Sequence, residues 1–121
     1  MQKVFVVEDS APVRERLLSL LQSIPGAEVV GEAVDVEEAI GAILAAKPDL
    51  VLLDLRLAHG SGFDVLRAVH SAEPEIDFYM LSNFASEPYR RYAERQGARG
   101  FFDKSKDFER VRELIAQRVA N

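Results

Sequence analysis

Apolar residues in this chain follow two alternating patterns. Short unbroken runs, Val4 to Val7, Leu50 to Leu53, Phe78 to Leu81 and Phe101-Phe102, are separated by longer stretches in which apolar positions recur every three or four residues. A run without polar interruption predicts a strand covered on both faces, since side chains alternate across a sheet and a solvated face would show polar residues at every second place. A weaker run, Glu28-Val29-Val30-Gly31, predicts an edge strand.

The longer stretches predict helices. Val13, Leu17, Leu20, Leu21 and Ile24 form one stripe, and Val36, Ala39, Ile40, Ile43 and Leu44 a second. Asp35 stands where its side chain can cap the second helix while Glu38 returns the hydrogen bond, and the helix must stop before Pro48. A third helix follows Ser61-Gly62 and uses Phe63, Leu66 and Val69. A fourth starts near Ser86, takes Pro88 in its first turn and ends at Gly97; the last uses Phe108, Val111, Leu114, Ile115 and Val119. No repeat, low-complexity tract or linker separates these units, so residues 1–121 are read as one domain. Right-handed crossovers favour an open α/β sandwich, a single-domain, doubly wound (βα)5 fold on a parallel five-stranded sheet. The pattern does not fix the strand order; the flavodoxin-like order 2-1-3-4-5 is the expectation.

Composition narrows the partners. With 48% hydrophobic residues the chain can build a core, which argues against disorder. Fifteen Lys and Arg against twenty Asp and Glu leave a net charge of -5, so direct binding of nucleic acid by bulk electrostatics is not expected. The absence of cysteine excludes disulfides and thiolate metal sites. No apolar run is long enough to span a bilayer, and Met1-Gln2-Lys3 leads straight into Val4. No membrane association and a cytoplasmic location are expected.

The chemistry collects where the predicted strands end. The first run is followed by Glu8-Asp9, the third by Asp54, the fourth by Ser82-Asn83 and the fifth by Asp103-Lys104. Parallel strands put their carboxyl ends at one edge, where open α/β folds bind ligands, so these residues should meet. Carboxylates without an imidazole or thiolate among them suit Mg2+, which is bound by hard oxygen ligands and keeps several waters. Lys104 offers a compact charge to a phosphoryl oxygen and Ser82 a hydrogen bond to another. Asp54 can then attack phosphorus as a nucleophile.

Val-Glu-Asp-Ser after the first strand, Leu-Leu-Asp-Leu at the third, Leu-Ser at the fourth and Gly-Phe-Phe-Asp-Lys-Ser at the fifth resemble response-regulator receivers of two-component signalling, in order and over essentially the whole chain. The resemblance implies that Asp54 is the phosphoacceptor and a metal ligand, and that Glu8 and Asp9 hold Mg2+ with Asp9 the direct ligand of the two. The backbone carbonyl of Arg56 is implied as a further metal contact. Ser82 matches the switch hydroxyl, Phe101 the switch aromatic and Lys104 the lysine of the family motif. The implied donor is a sensor histidine kinase, a phosphotransfer protein or a small acyl phosphate. The implied receiver of the signal is a downstream effector protein or domain, with a phosphorylation-dependent dimer left open. Such a chain is a switch that catalyses only its own phosphoryl transfer and autodephosphorylation. Arg90, Arg91 and Arg95 on the fourth helix are the candidate partner surface; a solvated helix face is the plainer reading of them.

The chain departs from the family pattern at Ala58, where a proline is common, at Asn83, where alanine is, and at Ser105, where proline often follows the lysine. Phe101 lacks the hydroxyl of the common tyrosine. Arg56 and Phe84 stand where related receivers vary and tune dephosphorylation. Three other functions compete. A pseudo-receiver would use the same fold as a phosphorylation-independent interaction module. A phosphatase of the haloacid dehalogenase type would want an aspartate two places after Asp54, where Arg56 stands. A flavodoxin-like electron carrier would want a glycine-rich phosphate cradle, where Glu8-Asp9-Ser10-Ala11-Pro12 is acidic. His59, in the predicted loop after Asp54, is read as a solvated residue.

Overall fold

The computed structural model describes residues 1–83 and 85–121. Seven strands and five helices follow in the order β1 (Gln2–Val7), α1 (Ala11–Gln22), β2 (Ala27–Ala33), α2 (Val36–Ala46), β3 (Leu50–Asp54), β4 (Arg56–Leu57), β5 (Gly60–Ser61), α3 (Gly62–Ala72), β6 (Asp77–Ser82), α4 (Glu87–Arg95), β7 (Gly100–Asp103) and α5 (Phe108–Ala120). Five strands pair in parallel in the order β2-β1-β3-β6-β7, which is 2-1-3-4-5 once the short β4-β5 ribbon is set aside. The weak second run is indeed an edge strand.

Alternation along each strand divides the core between the two faces of the sheet. Val4, Val6, Leu50, Leu52, Leu81 and Phe102 pack under α1 and α5 against Leu17, Leu21, Val111 and Ile115. Phe5, Val7, Val51, Leu53, Phe78 and Met80 face α2, α3 and α4 and meet Ile43, Val65, Leu66 and Ala93. Full burial of each such side chain contributes about 1.5–3 kcal/mol.

Local chemistry sets the helix ends. The Asp35 carboxylate accepts from Glu38 N at 2.9 Å, as expected. The return bond is different: Glu38 Oε1 accepts from Val34 N at 3.0 Å, one residue ahead of the cap. Lys47 closes α2 in a left-handed conformation, so the chain turns away before Pro48. At α3 the Ser61 hydroxyl accepts from Phe63 N at 3.1 Å and the Asp64 carboxylate from Ser61 N at 3.2 Å. Gly97 closes α4 with φ 108. The antiparallel β4-β5 ribbon is a feature the pattern did not predict. Its turn places His59 at φ 61, exposed to solvent, followed by Gly60 at φ 147. Among the described residues no helix is long and apolar enough to cross a membrane.

Candidate functional site

Because β1, β3, β6 and β7 run parallel, residues from the first, middle and last units converge at one edge of the sheet. Glu8 follows β1 and is fully buried; Asp54 ends β3 and Ser82 ends β6, and both are nearly so. Lys104 follows β7, where its backbone N–H donates to the Ser82 carbonyl at 3.0 Å. The Lys104 ammonium reaches back between the two buried carboxylates. Its Nζ lies 2.9 Å from Asp54 Oδ2 and 2.8 Å from Glu8 Oε1, and donates to Glu8 Oε2 at 3.1 Å.

Backbone contacts hold these side chains in place. Ser10 N donates to Glu8 Oε2 at 3.0 Å, and the Arg14 guanidinium donates to the Glu8 carbonyl at 2.9 Å. Arg14 was not legible as a site residue, since it reads as one polar position of a helix. Behind Asp54, Gly62 N donates to the Leu55 carbonyl at 2.7 Å as α3 begins. A Cβ at Gly62 would overlap the Asp54 carbonyl, so only glycine lets α3 start this close to the end of β3.

The electrostatics are short of positive charge. Carboxylate oxygens of Glu8, Asp9 and Asp54 all lie within 4.8 Å of one another. Two unit charges about 4 Å apart repel by roughly 4 kcal/mol at an effective dielectric constant of about 20, and the Lys104 ammonium contacts Glu8 and Asp54 together. Burial, helped by the Glu8 charge and opposed by Lys104, pushes the Asp54 carboxyl up from 3.8 to about 7. Burial disfavours the Lys104 charge, but its hydrogen bonds to Glu8 and Asp54, with their charges, hold it above the usual lysine range. Glu8 Oε1 is buried and lies 2.8 Å from Nζ, so the ammonium meets both oxygens of this carboxylate. A second cation fits this donor set: the ligands are hard oxygens, with exposed Asp9 open to solvent. The group could hold a divalent metal ion.

Beside the carboxylates lies a cavity of about 160 Å³ lined by Asp9, Asp54, Arg56, Ser82, Asn83 and Lys104. All the strand-end residues singled out in the sequence are therefore here, except Asp103. That carboxylate turns away and accepts from Ser105 N at 2.8 Å and Ser105 Oγ at 2.6 Å, bonds that hold it below the usual carboxylate range. Arg56 N lies 3.4 Å from Asp54 Oδ1. Phe84 lies outside the described residues.

The other candidates sit on α4 and β7. Phe101 is buried on the α3-α4 side of the sheet. Arg90 turns inward and donates to the carbonyls of Ala85 and Phe101. Arg91 and Arg95 face solvent, Arg91 with a loose contact of 3.9 Å to Glu87. Tyr92 packs edge-on against Phe63 at 4.6 Å and accepts from Arg67 at 2.8 Å, whereas Tyr89 stays exposed.

Comparison with known proteins gives a consistent result. The family model for the response regulator receiver domain matches residues 4–116. The DNA-binding transcriptional activator DevR/DosR of Mycobacterium tuberculosis is 38% identical over 104 residues, 86% of this chain and 48% of that protein. A protein-glutamate methylesterase/protein-glutamine glutaminase of Geobacter sulfurreducens is 39% identical over 92 residues, 76% of this chain and 25% of that protein. The chain thus spans about half or less of the length of these curated relatives. Among solved structures, the response regulator domain of Thermotoga maritima CheB superposes with a TM-score of 0.87 at 28% identity, covering 99% of this chain and 94% of that one.

Proposed function

The chain belongs to the response regulator receiver domain family, and from that premise we propose that it is a phosphorylation-dependent switch whose phosphoacceptor is Asp54. The observation that carries this reading is the cavity itself: the buried carboxylate of Asp54 opens into a space that Lys104 and Ser82 also line. A carboxylate oxygen of Asp54 attacks phosphorus, and an acyl phosphate is formed as the bond to the donor breaks with its electron pair leaving on the donor. Lys104 and Ser82 supply charge and a hydrogen bond to the phosphoryl oxygens. Glu8, Asp9, Asp54 and the Arg56 backbone carbonyl would hold Mg2+, which supplies further positive charge to the group in transfer. The donor is a sensor histidine kinase, a phosphotransfer protein or a small acyl phosphate.

The charge on Asp54 changes sides when a phosphoryl group arrives, and Lys104 must then divide its bonds anew. Ser82 and Phe101, on adjacent strands β6 and β7, then move together. Arg91 and Arg95, exposed on α4, then meet a downstream effector of acidic character, with Arg90 behind them against β7. The chain itself acts as a switch, without turnover of an external substrate and without direct contact to nucleic acid.

One observation favours a second reading. The loops beside the site depart from the family pattern at Ala58 and Asn83, and a phosphorylation-independent pseudo-receiver would tolerate such departures. Incubation with acetyl phosphate, with and without Mg2+, followed by intact mass measurement, separates the two. Wild type should gain one phosphoryl group only with Mg2+, and Asp54→Asn should gain none. No adduct in wild type, together with no binding of beryllofluoride, would establish the pseudo-receiver.

A further inference from the structure

The Arg90 side chain bonds both to Ala85, in the loop before α4, and to the strand that carries Phe101. Arg90 leaves the first turns of α4 with its Nε donating to the Ala85 carbonyl at 3.0 Å and its Nη1 donating to the Phe101 carbonyl at 2.9 Å. Its guanidinium carbon stands 5.3 Å from the centroid of the Phe101 ring. We propose that Arg90 is a positioning residue that couples the loop beyond Ser82 to Phe101, so that a change at the phosphoryl site is passed to β7 through its guanidinium. This rests on the reading of Asp54 as the phosphoacceptor.

Three features make the linkage more than a surface contact. First, among the described residues at the start of α4, Ser86 gives no side-chain cap bond, and Pro88 occupies the first turn without an N–H. Second, β7 is the edge strand, so no strand beyond it restrains Phe101. Third, the two bonds leave a rigid planar fork. A hydrogen bond weakens steeply once its geometry is lost, so a displacement of about 1 Å at Ala85 must either break one bond or carry the other carbonyl with it. A lysine has one ammonium on a flexible stem and no fork to transmit the displacement.

A guanidinium that merely fastened the helix would add stability but no correlation between the two segments. The test therefore reads correlation. Beryllofluoride with Mg2+ is titrated into wild type, Arg90→Ala, Arg90→Lys and Glu94→Ala, an exposed α4 control, and backbone amides are followed by NMR. In wild type and Glu94→Ala the amides of Asn83 and Ala85 should shift on the same curve as those of Phe101 and Phe102. In both Arg90 variants the Asn83 and Ala85 response should persist while the Phe101 and Phe102 response is lost. The lysine variant keeps the charge and serves if the alanine variant does not fold. Retention of the Phe101 response in Arg90→Lys would overturn the coupling while leaving the phosphoryl site intact. Absence of any response in wild type would instead remove the phosphoryl-site reading, and the coupling with it.

Discussion

Lys104 Nζ lies 2.9 Å from Asp54 Oδ2 and in the same position serves Glu8, so one ammonium is shared between two buried carboxylates. The arrangement is held by charge on both sides, and its stability depends on which cation is present.

Removing that ammonium should cost function before it costs the fold. Lys104→Ala leaves Glu8 and Asp54 facing each other, and Asp54 can relieve the repulsion by binding a proton. We expect a loss of order 2 kcal/mol at neutral pH, below the roughly 3–5 kcal/mol of a fully trapped charge, and a cooperative urea transition. Phosphorylation-dependent binding to a partner should disappear. A variant that is unfolded, or one that signals normally, would contradict this.

The raised Asp54 carboxyl sets the sign of a pH effect. With a folded value of about 7 above the ordinary 3.8, its contribution to stability is fully present below about pH 3.8 and lost as the pH rises through about 7. In chelator, Asp54→Asn should therefore be more stable than wild type at about pH 8, with the gap closing towards about pH 5. Mg2+ should raise the wild-type Tm more at about pH 8 than at about pH 5, where it must displace a proton, and should barely move Asp54→Asn. Equal Mg2+ shifts in the two proteins would count against Asp54 as a ligand.

Two glycines make a matched pair. Gly62→Ala drives a methyl group into the Asp54 carbonyl and should cost more than about 2 kcal/mol while lowering phosphoryl uptake. Gly41→Ala, in α2 with nothing within 4 Å of its Cβ, should stabilise by about 0.5–1 kcal/mol with uptake unchanged. Chemical denaturation and mass measurement on both variants check the contrast. Similar effects at the two positions would refute the close approach at Asp54.

Much of this was legible in the chain. Unbroken runs such as Leu50 to Leu53 marked buried strands, and the polar residues after them marked the edge where the site lies. The order of strands was not in the pattern, because every central strand reads alike. The β4-β5 ribbon escaped because two-residue strands have no period to detect. Asp103 was grouped with the site by its place at a strand end, but Ser105, two residues on, satisfies it locally. Arg90 looked like its neighbour Arg91, since sequence shows charge and not the direction in which a side chain turns. The carbonyls of Ala85 and Phe101 draw Arg90 inward, while Arg91 stays in solvent.

Glu8 and Lys104 are bonded across 96 residues of chain, with Asp54 between them. That separation orders events in time. As the protein is synthesised, Glu8 and Asp54 emerge early and can pair their strands, but their shared ammonium arrives only when β7 docks and brings the lysine. Distant contacts of this kind form late and slowly. The ability to accept a phosphoryl group should therefore arrive in a single step at the end of folding, and an incomplete chain should stay silent however much of the sheet it has already built.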